Sequence, residues 1–408
     1  MNIVRPSGTN WLTLPIIMLV IPLGAAHVST VAPFINEMSA DLNVSVSLAG
    51  QLGTAQFIGA LVSAIALIPF ISRIQLRQAL FWSAAVLAVS TFVTGLGVSF
   101  AVMFAARLVA GLAAGIAMAG AYAAMGRAWP DVDERNKKMG FLVAALSGGP
   151  GVLAPVMRLI AEPTSWQVAT IVFAIFVGLI ALLVLVALPR LEGSSTGEGA
   201  SLSAQMSTSV KVILLPGIRP LLAIRMLVWM AAGISLFYFP AFFIGEYPVK
   251  EAWLGPAYAF ISLGGFMAGS LANVVLLSRV KGPVNILWPA GLVFPLGAIA
   301  FAFITPNPAI TIAIFVVWAF VFGLSIPNCI NLLYVFAADK QGAAVFTDGA
   351  FQQVAALMGT TLGGLAIALA PEFFGWKLLI AFIGLATLIP LVLVVRQAKV
   401  SAAGLVDG

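Results

Sequence analysis

A succession of apolar runs, each about 20 residues or longer and separated by short polar stretches, limits how this chain can fold more than any other feature. A helix rises 1.5 Å per residue, so about 20 apolar residues cross a hydrocarbon core of roughly 30 Å. In lipid every backbone N–H and C=O must be satisfied within the protein, and a helix does this inside one segment. Spans are expected near residues 11–36, 46–70, 78–97, 100–125, 139–161, 168–188, 220–245, 255–278, 285–304, 309–335, 349–370 and 376–396. Composition excludes the soluble alternative. Of 408 residues, 62% are hydrophobic and 8% are Asp, Glu, Lys or Arg, against about 25% charged in a soluble domain. The expected class is an all-α membrane protein with twelve transmembrane helices.

Charge between the spans sets the expected orientation, because inside loops collect Lys and Arg. With the N-terminus inside, the inner segments hold Arg5, Arg73, Arg77, Arg127, Arg135, Lys137, Lys138, Arg190, Lys211, Arg219, Arg279, Lys281, Lys340, Arg396 and Lys399. The outer segments hold only Lys250 and Lys377. The chain is therefore expected in the cell membrane with both termini cytoplasmic. The net charge of +6 belongs to these inner loops and does not call for nucleic acid. The loop Asp131–Lys138 reads as a solvated inner turn. No cleavable leader is expected before the first span. Cys329 is the one cysteine, so no intrachain disulfide can form.

The longest polar gap, Pro189 to about Arg219, is rich in Ser and Gly and reads as a flexible linker. It divides the chain into a six-helix bundle over 1–188, a cytoplasmic linker over 189–219 and a second six-helix bundle over 220–408 with a short tail. The halves resemble each other. Ser72-Arg73-Ile74 corresponds to Ser278-Arg279-Val280, and Trp82 to Trp288, at an offset of 206; Ser165-Trp166 corresponds to Gly375-Trp376 at 210. The expected architecture is thus two pseudo-symmetric bundles. Parallel repeats of this kind are a transporter design.

Spans three, six, nine and twelve are poor in polar side chains and are expected at the periphery. The others carry His27, Gln51, Gln56, Arg107, Tyr122, Arg158, Arg225, Tyr238, Asn273, Asn328, Asn331, Gln352 and Gln353. Charge at the bilayer centre costs about 2.5–3.5 kcal/mol on insertion scales, so such residues turn to a protein interior or a watery cavity. The three arginines interrupt apolar runs in which no carboxylate is expected at similar depth. That combination points to a cavity of positive potential and an anionic cargo. Arg107 lies about seven residues into span four. Arg158 has two readings, an i,i+4 pair with Glu162 or an interior position on the face of Gly151 and Pro155. Arg225, about five residues inside span seven, reads first as an anchor snorkelling to headgroups and second as a cavity residue. Glu37 ends span one and is expected to be interfacial. His27 is the sole histidine, and its unperturbed pKa near 6.5 suits proton coupling. Asn328 and Asn331 share a face of span ten; with Gln352 they are either helix glue or ligand contacts.

Three stretches carry a family resemblance. Pro69 to Arg77 keeps Arg73 and Arg77 of a loop pattern Gly-x-x-x-Asp-Arg-x-Gly-Arg-Lys/Arg but lacks its acid and glycines. Arg107 to Gly115 follows Arg-x-x-x-Gly-x-x-x-Gly, and Gly148-Gly149-Pro150-Gly151-Val152-Leu153-Ala154-Pro155 is Gly- and Pro-rich. With these motifs the chain resembles the major facilitator superfamily over essentially its whole length. The resemblance implies an alternating-access secondary transporter acting on a small molecule. Arg107 is implied in proton or substrate handling, and Gly148, Gly149, Pro150, Gly151 and Pro155 in a bending, antiporter-type element. Proton-coupled efflux of a small neutral or anionic organic compound is the reading carried forward, by a protein working as a monomer. Uptake or exchange of an organic anion is the second. A membrane-embedded substrate sensor is the third. The sequence has no HExxH, nucleotide loop or acid cluster, so an enzyme, a metal or another cofactor is not expected.

Overall fold

The computed structural model describes residues 10–25, 30–67, 75–129, 132–191, 210–277, 279–280, 282–337, 341–370 and 373–403. Most of the expected linker, together with His27 and Arg73, lies outside these residues. Contacts divide the chain into two compact units, 1–200 and 201–408. Among the described residues the secondary structure is helical throughout. Eleven helical spans among the described residues are long and apolar enough to cross a membrane, and Thr13–Ala25 is a shorter apolar helix ahead of them.

In the first unit, span one, expected near 11–36, is α-helical only in part. An α-helix over Thr13–Val20 passes into a 3-10 helix over Ile21–Ala25. Further on, a second 3-10 turn, Ala32–Phe34, leads into the helix Ile35–Asp41. Pro22 and Pro33 each lack a backbone N–H, which interrupts the i→i−4 ladder. The next spans are regular: Val46–Val62 continued as a π-helix over Ser63–Leu67, Leu76–Gly95, Phe100–Ala128, Val132–Ala161 and Trp166–Ala187. Spans two, four and six each begin on a serine. Ser45, Ser99 and Ser165 accept from the N–H groups of Leu48, Val102 and Val168 at 3.1, 3.4 and 3.3 Å, satisfying donors that a helix start leaves open.

The second unit repeats the plan. Its spans are Ile218–Glu246; Leu254–Ala259 continued through a π-helix over Phe260–Met267 to Ala268–Leu277; Val284–Phe303; Pro308–Ala337; Gln341–Leu369; and Phe374–Ala386 with Leu388–Ala403. Its core is aromatic. Phe242, Phe301, Phe315, Trp318 and Trp376 follow one another at ring separations of 5.1–5.7 Å.

Two features show the repeat physically. Trp166 and Trp376, at the starts of spans six and twelve, are both buried. The indole of Trp166 donates to Asp41 just past span one (2.7 Å), and that of Trp376 to the Ile234 carbonyl of span seven (3.1 Å). Each half thus ties its last span to its first. Trp82 and Trp288, by contrast, are turned outward, as interfacial anchors are.

The second feature is helix contact through glycine. A Cβ on Gly111 would lie 1.9 Å from the Gln56 carbonyl oxygen, and one on Gly59 2.1 Å from that of Leu108. Spans two and four therefore touch backbone to backbone, as small residues allow in membranes. Gly269 and Gly323 do the same for spans eight and ten, at 2.1 and 2.2 Å from the carbonyls of Phe320 and Phe266. Gly111→Ala is expected to lower stability by about 1–3 kcal/mol, because a carbonyl in a packed helix cannot give way as a flexible side chain can. Thermal unfolding of the purified variant checks this; an unchanged midpoint would mean that the two spans can separate at little cost.

Candidate functional site

Arg107 stands on the third helical turn of span four, about 10 Å from its N-terminal end at helical rise, and is 1% exposed. The Gly111–Gln56 approach explains its neighbours. By bringing the backbone of Gln56 against span four, that approach also delivers the Gln56 side chain to Arg107, one turn away. The Arg107 Nη1 donates to Thr30 Oγ1 at 2.9 Å and to Gln56 Oε1 at 3.3 Å. Both partners are neutral. Arg107 Nε and Nη2, and Gln56 Nε2, are buried with no hydrogen-bond partner among the described residues. All three are nitrogen donors. Among the described residues the cluster thus holds more donors than acceptors.

The other two arginines correct the expectation that no carboxylate is available to them. Arg158 does not pair with Glu162. It donates to the Glu37 carboxylate and the Pro33 carbonyl, and its guanidinium lies 4.7 Å from the centre of the Phe34 ring. Glu37, expected at a wet interface, is half-buried in this pair, at 25% side-chain exposure. The arginine of span five thus clamps the rebuilt second part of span one. Arg225 does not snorkel: it is 3% exposed. Its Nε donates to Asp348 Oδ1 at 2.8 Å and its Nη2 to Oδ2 at 2.6 Å, a two-pronged fork of the kind that fits guanidinium to carboxylate. Of the three arginines, only Arg107 lacks a carboxylate partner among the described residues.

Asp348 is the partner of Arg225 that sequence reasoning missed. Span eleven was expected to start at 349, which put the acid in a loop. The helix starts at Gln341, so Asp348 lies two turns inside it. Its i,i+4 relation to Gln352 was the available signal, because the two share a helix face.

The amides are partly brought together. Asn328, fully buried, donates its Nδ2 to Asn273 Oδ1 at 2.6 Å and to the Leu324 carbonyl at 2.7 Å, joining spans ten and eight. Asn331 and Gln352 are half-buried. Gly148, Gly149, Pro150, Gly151 and Pro155 lie within one helix, Val132–Ala161. Gly149 faces span one, where an added Cβ would come within 2.5 Å of the Pro22 ring. The motif therefore abuts the point at which span one leaves α-helical geometry. Arg77 is half-buried at the start of span three.

The second half holds a cavity of about 30 Å³. Its lining includes Ser235, Ser262, Phe266, Phe315, Trp318 and Ala319. The Ser235 hydroxyl is committed to the Ala231 carbonyl at 2.7 Å.

Comparisons with known proteins add to this geometry. No curated protein matches the chain in sequence. A crystal structure of a bacterial homologue of the human lysosomal transporter Spinster, in an inward-facing and unoccupied conformation, is similar with a TM-score of 0.70. The likeness covers 95% of this chain and 96% of that one at 12% identity, and it concerns the fold. The sequence model named Major Facilitator Superfamily matches residues 17–360, which takes in the Arg107 cluster, the Gly148–Pro155 element and the Arg225–Asp348 pair. A twelve-span helical chain built from two repeats, matched over most of its length by that model, is a multi-pass membrane transporter and belongs to the Major Facilitator Superfamily.

Proposed function

We propose that this transporter is a secondary carrier working by alternating access, which exports a small neutral or anionic organic compound in exchange for protons, and that Arg107 receives the anionic group. The observation that carries the reading is the Arg107 cluster. A guanidinium buried beside two neutral partners leaves donors whose desolvation costs about 1–3 kcal/mol each when unmet. A carboxylate or similar oxyanion supplies acceptors for them, and charge-assisted bonds of this kind are about twice as strong as neutral ones. Arg158 and Arg225 spend their charge on Glu37 and Asp348, so the anion reading rests on Arg107 alone.

Export and proton exchange rest on the antiporter-like Gly148–Pro155 element and on His27, the one side chain whose ordinary pKa lies near neutrality. The asymmetry of Lys and Arg supports a cell-membrane protein with both termini inside; in this reading it works as a monomer. An anion on Arg107 serves either direction of travel, so uptake or exchange of an organic anion is the second reading.

A thermal-stability screen of the purified protein with matched organic anions, neutral compounds and lipophilic cations tests the proposal, since a ligand bound to the native state raises stability by mass action. Anions are expected to raise the midpoint, and Arg107→Gln to abolish the rise. Stabilisation mainly by lipophilic cations, or anion stabilisation untouched by Arg107→Gln, would overturn it.

A further inference from the structure

The repeat gives the Arg107 cluster a counterpart in the second half, and the glycine contacts fix the register. Gly111 meets the carbonyl of Gln56 as Gly323 meets that of Phe266, and Gly59 meets Leu108 as Gly269 meets Phe320. Gln56 therefore corresponds to Phe266 and Leu108 to Phe320. One residue before Leu108 and Phe320, Arg107 corresponds to Ala319. Phe266 and Ala319 both line the cavity of the second half. Where the first half places a cation and an amide, the second half places a benzyl ring and a methyl group around empty space.

The walls of that space are specific. Phe266 meets Phe322 edge to face at 4.7 Å, and Phe315 lies 5.6 Å from Trp318. Aromatic edges and faces of this kind accept a further ring in an edge-to-face or offset arrangement. Trp318 is 3% exposed, and its indole N–H is buried with no acceptor among the described residues. A buried Trp N–H normally finds a partner, so the exception calls for one. Ser262 adds a hydroxyl to the same lining. Ile261, Ser262 and Phe266 reach the cavity from the π-helix Phe260–Met267, a rare geometry that recurs at functional sites. A dry apolar cavity of about 150 Å³ takes up a whole benzene; at about 30 Å³ this one takes the edge of a ring or a methyl-sized group.

We propose that this cavity is a binding subsite for the edge of an aromatic ring, or a compact apolar group, that carries a hydrogen-bond acceptor. The cargo is then an organic anion with an aromatic body. This last statement rests on Arg107 as the anion site; the subsite itself does not.

The test uses the purified full-length chain and three probes: acetophenone, which is uncharged and carries both ring and acceptor, and phenylacetate against acetate. Acetophenone is expected to raise the unfolding midpoint equally in wild type and Arg107→Gln. Ser262→Leu, which fills the cavity, removes that rise. Trp318→Phe keeps an aromatic side chain, though a smaller one, and deletes the N–H, so it weakens acetophenone relative to toluene; this second variant serves if Ser262→Leu fails to fold. Phenylacetate binds wild type about tenfold or more tightly than acetate, the scale set by burying a ring, and Ser262→Leu brings the two together without altering acetate. If acetophenone gives no rise, or the same rise in Ser262→Leu and Trp318→Phe, the subsite is wrong whatever Arg107 does. If acetophenone behaves as expected but neither carboxylate depends on Arg107, the subsite stands and the anion reading falls.

Discussion

Replacing Arg107 with methionine is expected to raise the thermal stability of this transporter and, in the same molecule, to end its response to organic anions. Two guanidinium nitrogens and the Gln56 amide nitrogen are buried without acceptors among the described residues. Methionine fills similar volume with no polar atoms, and exchanging buried charge for a well-packed apolar side chain is often stabilising. Removing the unmet arginine donors is worth about 1–3 kcal/mol for each. The lost bonds to Thr30 and Gln56 offset part of this, so a net gain of about 1 kcal/mol or more is expected. Anion affinity should fall by about 10- to 100-fold, the equivalent of a hydrogen bond to a charged group. Unfolding curves with and without a carboxylate panel measure both quantities. A structural arginine would behave oppositely. If Arg107→Met unfolds at lower temperature and still responds to anions, the cluster is helix glue and the cargo site lies elsewhere.

Asp348→Asn is expected to produce the largest loss of stability, about 3–5 kcal/mol, because it leaves the Arg225 guanidinium buried opposite a neutral amide. Both side chains are under 10% exposed, at 4% for Arg225 and 7% for Asp348, so solvent cannot take over the role of the carboxylate. The double replacement Arg225→Met with Asp348→Leu should recover most of the loss, since it removes both charges together. A double-mutant cycle on the unfolding free energies isolates the coupling. Glu37→Gln provides an internal comparison with a smaller expected effect. Glu37 is 25% exposed, and Arg158 keeps the Pro33 carbonyl and the Phe34 ring. Additive effects of Arg225→Met and Asp348→Leu would show that the fork between spans seven and eleven contributes nothing to holding them together.

Hydropathy alone made most of the spans legible, and the reason is local. Whether twenty residues can sit in lipid depends on those residues and not on their neighbours in space. The same logic failed at span one, where an averaged apolar run hid Pro22 and Pro33. Their effect on the backbone is local too, but a hydropathy window does not register a missing N–H. At span eleven residues 341–348, with Gln341, Gly342, Thr347 and Asp348 among them, fell outside the expected span, although the helix runs through them. The repeat was faint in sequence, with a few identities such as Trp166 and Trp376. It becomes plain once both indoles are seen tying the last span of a half to its first.

By itself the sequence determined the helical membrane class, the duplicated plan and the motif that singles out Arg107; that Gly59 and Gly111 bring spans two and four together emerged only in three dimensions. Only the tertiary structure decided which arginines are free to act. Arg158 finds Glu37 across 121 residues of chain, and Arg225 finds Asp348 across 123. Charge is neutralised over a few ångströms of space, whereas hydropathy is read along a few turns of helix. No pattern within one span reports what lies beside it. The same limit hid the cavity beside Ala319, since empty space is a property of what surrounds it.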